Sequence, residues 1–142
     1  SKRRSRTSCT TSTESMAIVS IGSDLTQIDR MADLLERRGE ALKKRLFTER
    51  EQAYCEARKT RVTNYSGRFA VKEAVMKVLG TGWARGVRWV DIETLRKRGQ
   101  APRVVLHGKT AEIAAERGIA RIHVSITHDA GIAMAFAVAE SD

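Results

Sequence analysis

Glu73 and Lys77 stand four residues apart, a spacing that places an acid and a base on one helical face, and Arg68 and Lys72 repeat that spacing. All four lie within GRFAVKEAVMKVLGTG, Gly67 to Gly82, where charges interrupt an apolar run. Two chemistries fit this stretch. Either it is a surface helix with solvated charges and a glycine stop, or Arg68, Lys72 and Lys77 address phosphates while Glu73 holds a cation. In the second case Gly80, Thr81 and Gly82 offer backbone N–H groups to an anion, since glycine permits left-handed torsions and close approach. The Gly-Lys-Ser/Thr of a Walker loop is missing, and here the glycines follow the helix.

A second carboxylate, Asp24, closes the apolar run MAIVSIGSD just before a helical pattern. It caps that helix, or it ligates a metal at a strand end, where loops commonly place function. Carboxylates from two elements suit Mg²⁺, which prefers oxygen ligands and shares a substrate's phosphates. His123 and His128 flank VSIT at an odd spacing, so on a strand they face opposite sides. With three histidines and no His/Cys cluster, a zinc site has no support. Ser125 lacks the glycine-flanked turn of a serine hydrolase nucleophile.

The elements that must position these residues can be read from period and punctuation. MAIVSIGSD reads as a buried strand. TQIDRMADLLERRG follows as a helix, with Thr26 and Asp29 spaced like a capping box and Gly39 as its stop. Thr48 and Glu51 open a second helix with the same signature. A break near Thr63 and Asn64 precedes a third helix, from about Tyr65 to Leu79. VRWVDIETL and RVVLH are strands around a turn at Gly99 and Pro102, and KTAEIAAERG is a short helix. RIHVSITHD and GIAMAFAVAE form a hairpin through Asp129, Ala130 and Gly131. The order predicts an α+β domain with a mainly antiparallel sheet packed against helices.

The chain has 142 residues, 42% hydrophobic and 5% aromatic, and carries a net charge of +9. That is enough for one core, and no apolar run approaches a membrane span. The net charge points to an anionic partner: nucleic acid, an acidic protein or a polyphosphate. Lys2, Arg3, Arg4 and Arg6 against Glu14 make residues 1–15 net +3, so +6 belongs to residues 16–142. Residues 1–15 are expected to be a disordered extension or a leftover tail, and 16–142 a single domain. Cys9 and Cys55 form no metal or redox motif, which fits a reducing cytoplasm.

Three stretches in order, IGSDLTQIDRM, GRFAVKEAVMKVLGTG and HVSITHDAGIAMAFAVAE, closely resemble the holo-acyl-carrier-protein synthase family, the small bacterial 4'-phosphopantetheinyl transferases. LFTEREQAY between the first two is also similar to that family. The resemblance implies the phosphopantetheinyl transferase fold and the transfer of phosphopantetheine from coenzyme A to a serine of an apo acyl carrier protein. It implies Mg²⁺ on Asp24 and Glu73, with Glu73, Asp24 and Lys77 carrying the chemistry. Arg68, Lys72 and Lys77 would line the phosphates, Gly80, Thr81 and Gly82 the diphosphate, and His123, Ser125, Thr127 and His128 the nucleotide side. Arg30, Leu34 and Arg37 would face the carrier, and the family forms trimers with active sites between subunits.

The turn GQAP departs from the family's glycine, basic residue, proline, and the basic tail has no counterpart. A nucleic-acid module explains the charge but lacks a motif and stacking aromatics. A metal-dependent phosphohydrolase would use the same carboxylates. Neither accounts for all three stretches.

Overall fold

The computed structural model describes residues 16–82 and 85–142. In chain order the elements are β1 (Ile18–Gln27), α1 (Ile28–Leu46), α2 (Glu49–Glu56) and α3 (Arg61–Leu79). They continue with β2 (Ile92–Leu95), β3 (Arg103–Leu106), α4 (Gly108–Glu116), β4 (Arg121–Asp129) and β5 (Ile132–Glu140). One antiparallel sheet has the order β1-β5-β4, and β2 pairs with β3 in a second. The architecture is the α+β arrangement expected. The expectation for residues 1–15 lies outside the described residues.

The β4–β5 hairpin forms where expected, around a two-residue turn. Ala130 and Gly131 both have positive φ, 50° and 77°, the combination whose twist matches its flanking strands. Asp129 steadies the turn by accepting a hydrogen bond from the Ala130 N–H at 2.8 Å. Along β5 every second residue, Ala133, Ala135, Ala137 and Ala139, is fully buried. This row of methyl groups leaves room for a helix to lie unusually close.

That helix is α3, and it is central rather than superficial. Buried residues occur around most of its circumference, and only Glu73 and Lys77 break the pattern over its last two turns. Its small residues meet the sheet. A Cβ on Gly22 of β1 would lie 2.3 Å from the Ala74 carbonyl oxygen, and one on Gly67 would lie 2.9 Å from Ile126. Ala70, Val71, Ala74, Val75 and Val78 pack there in the main core, while Met31, Phe47, Cys55 and Tyr65 form a second core with α1 and α2.

Lys72, on α3, is fully buried. Its ammonium donates to Glu51 Oε1 at 2.7 Å, to the Trp89 carbonyl at 3.0 Å and to the Ile92 carbonyl. Expecting a phosphate ligand here is therefore wrong: every N–H of the ammonium is spent on protein, and solvent does not reach it. The surface-helix reading of this stretch fails for the same reason.

Other boundaries moved for local reasons. The Thr48–Glu51 capping box is present in full. The Thr26–Asp29 one is not, because Thr26 is still paired with Ala133 in β1 and its buried hydroxyl has no partner among the described residues. Gly39 (φ 54°) bends α1 instead of ending it, and helix resumes to Leu46, which is buried. α3 starts earlier than expected because Asn64 donates back to the Thr60 carbonyl, so Thr63 and Asn64 are helical. Residues Trp89–Asp91 form a 3₁₀ turn, which shortens the strand expected over 87–95.

The contact at Gly22 predicts that Gly22→Ala is destabilising by about 3 kcal/mol, since backbone rather than a flexible side chain blocks the methyl group. Urea denaturation checks this; a loss under ~1 kcal/mol would mean that β1 and α3 can separate at little cost.

Candidate active site

The close crossing of β1 and α3 determines what comes together. Asp24 lies two residues beyond Gly22, and Glu73 immediately precedes Ala74, so the contact that excludes a Cβ also brings the two carboxyl groups face to face. Lys77, one helical turn after Glu73, donates to the Ser23 carbonyl at 2.8 Å and lies 3.1 Å from Asp24 Oδ1. Asp24 is mostly buried, its side chain 12% exposed, whereas Lys77 is 57% exposed.

Electrostatics mark this pair. Burial, and then the hydrogen bond and charge of the facing Asp24, push Glu73 up to about 7. Lys77 and Arg30 oppose that shift. Asp24 Oδ2 is buried and has no hydrogen-bond partner among the described residues. A protonated Glu73 can satisfy that oxygen; an ionised one leaves two carboxylates in mutual repulsion. A divalent cation between them removes the conflict, so the donor set fits the Mg²⁺ implied above. Among the described residues no group of three His, Cys, Asp or Glu converges. Two carboxylates with the remaining positions left to water and phosphate is the habit of Mg²⁺.

Glu73 lies on the walls of two clefts. One, about 210 Å³, is lined by Glu73, Met76, Lys77, Gly80, Gly82 and Trp89. Gly80 ends α3 in the left-handed conformation (φ 69°), with its N–H bonded to the Met76 and Lys77 carbonyls. The Gly80–Gly82 turn therefore stops the helix and also borders the cleft. The other cleft, about 450 Å³, includes Arg30, Leu34, Phe69, Glu73 and Ile132. Arg30 and Arg37 are exposed on α1, and Arg37 pairs with Asp33 at 3.0 Å.

Other expected site residues lie elsewhere. Arg68 is buried, its guanidinium 4.0 Å from the Tyr54 ring centre, with Nε and Nη2 unpartnered among the described residues. β4 is separated from β1 by β5, which puts it roughly 10 Å away across the sheet. His123, Ser125 and Thr127 point away from the helices, in register with Val138, Phe136 and Met134. His128 pairs with Ala133 and so belongs to the opposite face, as the odd spacing required. No β4 side chain lines the cleft beside Lys77.

Sequence reasoning missed Trp89, Met76 and the Ser23 carbonyl. It also read Glu51 only as a helix cap. A lysine among the buried positions of α3 was the available signal that an acid had to meet it.

Comparison with known proteins agrees with this fold. The holo-[acyl-carrier-protein] synthase of Solibacter usitatus is 43% identical over 124 residues, 87% of this chain and 99% of that protein. The one from Methylobacterium radiotolerans is 44% identical over 128 residues, 87% of this chain and 94% of that protein. Among solved structures, holo-[acyl-carrier-protein] synthase from Neisseria meningitidis superposes with a TM-score of 0.80 at 28% identity, covering 88% of this chain and 100% of that one. The Helicobacter pylori enzyme, solved in complex with coenzyme A, gives a TM-score of 0.73 at 28% identity over 84% and 98% of the two chains. The family model described as the 4'-phosphopantetheinyl transferase superfamily matches residues 20–137. On that match, over most of its length, the chain belongs to the 4'-phosphopantetheinyl transferase superfamily.

Proposed function

We propose that this chain transfers the 4'-phosphopantetheine group of coenzyme A to a serine of an apo acyl carrier protein, releasing adenosine 3',5'-bisphosphate, in fatty acid biosynthesis. The observation that carries the reading is the convergence of Asp24, Glu73 and Lys77 beside a cleft that ends at a glycine turn. The family and the similarity to coenzyme A-bound relatives support it.

The serine oxygen attacks the phosphorus bearing the pantetheine arm. The bond from that phosphorus to the bridging oxygen breaks, and its electron pair leaves on the nucleotide. Glu73, directly or through a water, is placed to accept the serine proton. Bound between Asp24 and Glu73, Mg²⁺ would neutralise the diphosphate and stabilise the leaving phosphate. Lys77 adds a second positive charge at the same point, and Gly80 and Gly82 border the cleft. Fixed charges aligned before reaction are what displacement at a diphosphate needs most. Arg68 keeps unspent donors and remains in the proposed phosphate set; Lys72 does not.

The carrier enters from the other side of Glu73. Arg30 and Leu34 line the larger cleft, and Arg37 continues the same face of α1. Two guanidinium groups around an apolar residue suit an acidic, amphipathic partner.

The outer face of the β1-β5-β4 sheet supports self-association. Ile21, Leu25 and Phe136 are 70%, 56% and 49% exposed there, a cluster that water-facing sheets avoid. We assign this face to a homotrimer, in which His123, Ser125, Thr127 and His128 would line the nucleotide side of a neighbour's site. Among the described residues no helix is long and apolar enough to cross a membrane. Cys55 is free and buried, which accords with the cytoplasm.

Incubation with coenzyme A, Mg²⁺ and apo carrier, read by intact mass, should show one phosphopantetheine gained per carrier. Asp24→Asn and Glu73→Gln should each cut that rate at least 100-fold while staying folded. Release of inorganic phosphate with an unmodified carrier would favour a phosphohydrolase instead.

Arg30→Glu should raise the KM for carrier about tenfold with the KM for coenzyme A little changed, and equal changes in both would remove α1 from carrier recognition. Phe136→Asp should shift the protein from trimer to monomer in sedimentation, with loss of transfer. A wild-type monomer that transfers at full rate would overturn the shared-site arrangement.

A further inference from the structure

We propose that Lys72 is a positioning residue: by tying α3 to the Trp89 and Ile92 carbonyls and to Glu51, it sets where its neighbour Glu73 presents a carboxylate to Asp24. The inference rests on the cation role given to that pair above, and it goes further by naming a residue that touches neither cation nor substrate.

The ammonium is fully buried and its three acceptors belong to three different segments: α2, the 3₁₀ turn at Trp89–Asp91, and the start of β2. Such a group fixes direction as well as distance, because three N–H vectors diverge tetrahedrally and each is used. The acid it meets is itself held. Glu51 Oε1 accepts the Thr48 N–H at 3.1 Å, and Oε2 accepts the Thr94 N–H at 3.2 Å.

On a helix each residue advances by ~100°, so fixing the azimuth of Lys72 fixes that of Glu73. Among the described residues, the Glu73 side chain has no hydrogen bond to hold it in place besides its contact with Asp24. The tie also acts on the far wall of the cleft: Trp89, whose carbonyl Lys72 holds, lines it together with Glu73 and Lys77. The ring of Trp89 in turn lies 5.0 Å from that of Phe69, which lines the carrier-side cleft. Stability alone does not call for this arrangement, since a buried ion pair is commonly replaced by apolar side chains at little cost. What an apolar pair does not supply is a direction.

The test uses the full chain and Mn²⁺ as the probe, with binding followed by electron paramagnetic resonance and transfer kinetics measured alongside. Lys72→Met combined with Glu51→Gln removes the tie without stranding a buried charge. Ile113→Ala, at a fully buried position of α4 in the main core, serves as a destabilised control that keeps Lys72 and all three of its acceptors. The double variant should bind Mn²⁺ at least tenfold more weakly and lose at least tenfold in kcat, with the KM for coenzyme A within threefold of wild type. Ile113→Ala should melt earlier yet bind Mn²⁺ within twofold of wild type.

A folded double variant with wild-type Mn²⁺ affinity overturns the proposal, as does an equal loss in Ile113→Ala. Should the double variant fail to fold, Glu51→Gln decides: it removes the charged anchor of the three, so it should bind Mn²⁺ at least threefold more weakly than wild type, and unchanged affinity there overturns the proposal. Wild-type protein that binds no Mn²⁺ refutes the cation role itself, and this inference falls with it.

Discussion

The structure depends on one steric constraint: β1 and α3 touch backbone to backbone at Gly22 and Ala74. A methyl group at Gly22 has no room, and the alanines of β5 extend the same close approach across the sheet. Close packing of this kind leaves little freedom to slide or rotate. Asp24 and Glu73 inherit their mutual position from it, each being a near neighbour of the contact in sequence. Lys77, a turn further on, closes the group by bonding to the strand that carries Asp24.

A polar layer holds the opposite side of α3. Lys72 meets Glu51, and close by Glu93 collects Thr48, Arg50 and His107. Those contacts hold the Glu93 carboxyl below the usual range despite its burial. The helix therefore has two electrostatically distinct sides. Toward α2 and β2 the buried charges of Lys72, Glu51 and Glu93 are matched within the protein; toward β1 two carboxylates face each other with Lys77 and Arg30 against them. The unmatched side carries the cleft, and that asymmetry supports locating the chemistry there.

Much of the fold was legible because local rules were obeyed. The Thr48–Glu51 box, the Ala130–Gly131 turn and the glycine end of α3 each follow from short-range chemistry, and each forms. Thr26 and Asp29 show the limit of such signals: the same spacing is present, but strand pairing continues through Thr26 and removes its hydroxyl from the helix end. Gly39 carried a stop signal, yet the apolar residues beyond it could still be buried, so helix resumed. At the site, Asp24, Glu73 and Lys77 were named from sequence and are together. Lys72 was named alongside them with the wrong role, because spacing along a helix does not say which side of it is covered. Its partner Glu51 lies 21 positions away in the chain, beyond any local pattern.

The central claim is that this crossing builds a divalent cation site from two carboxylates. Anomalous diffraction from crystals grown with Mn²⁺ tests it most directly, because the signal reports the position of the metal itself. The account predicts one strong peak per chain, between the Asp24 and Glu73 carboxyl groups and within coordination distance of both. A peak at any other acidic cluster, or none between these two residues at saturating Mn²⁺, would contradict it.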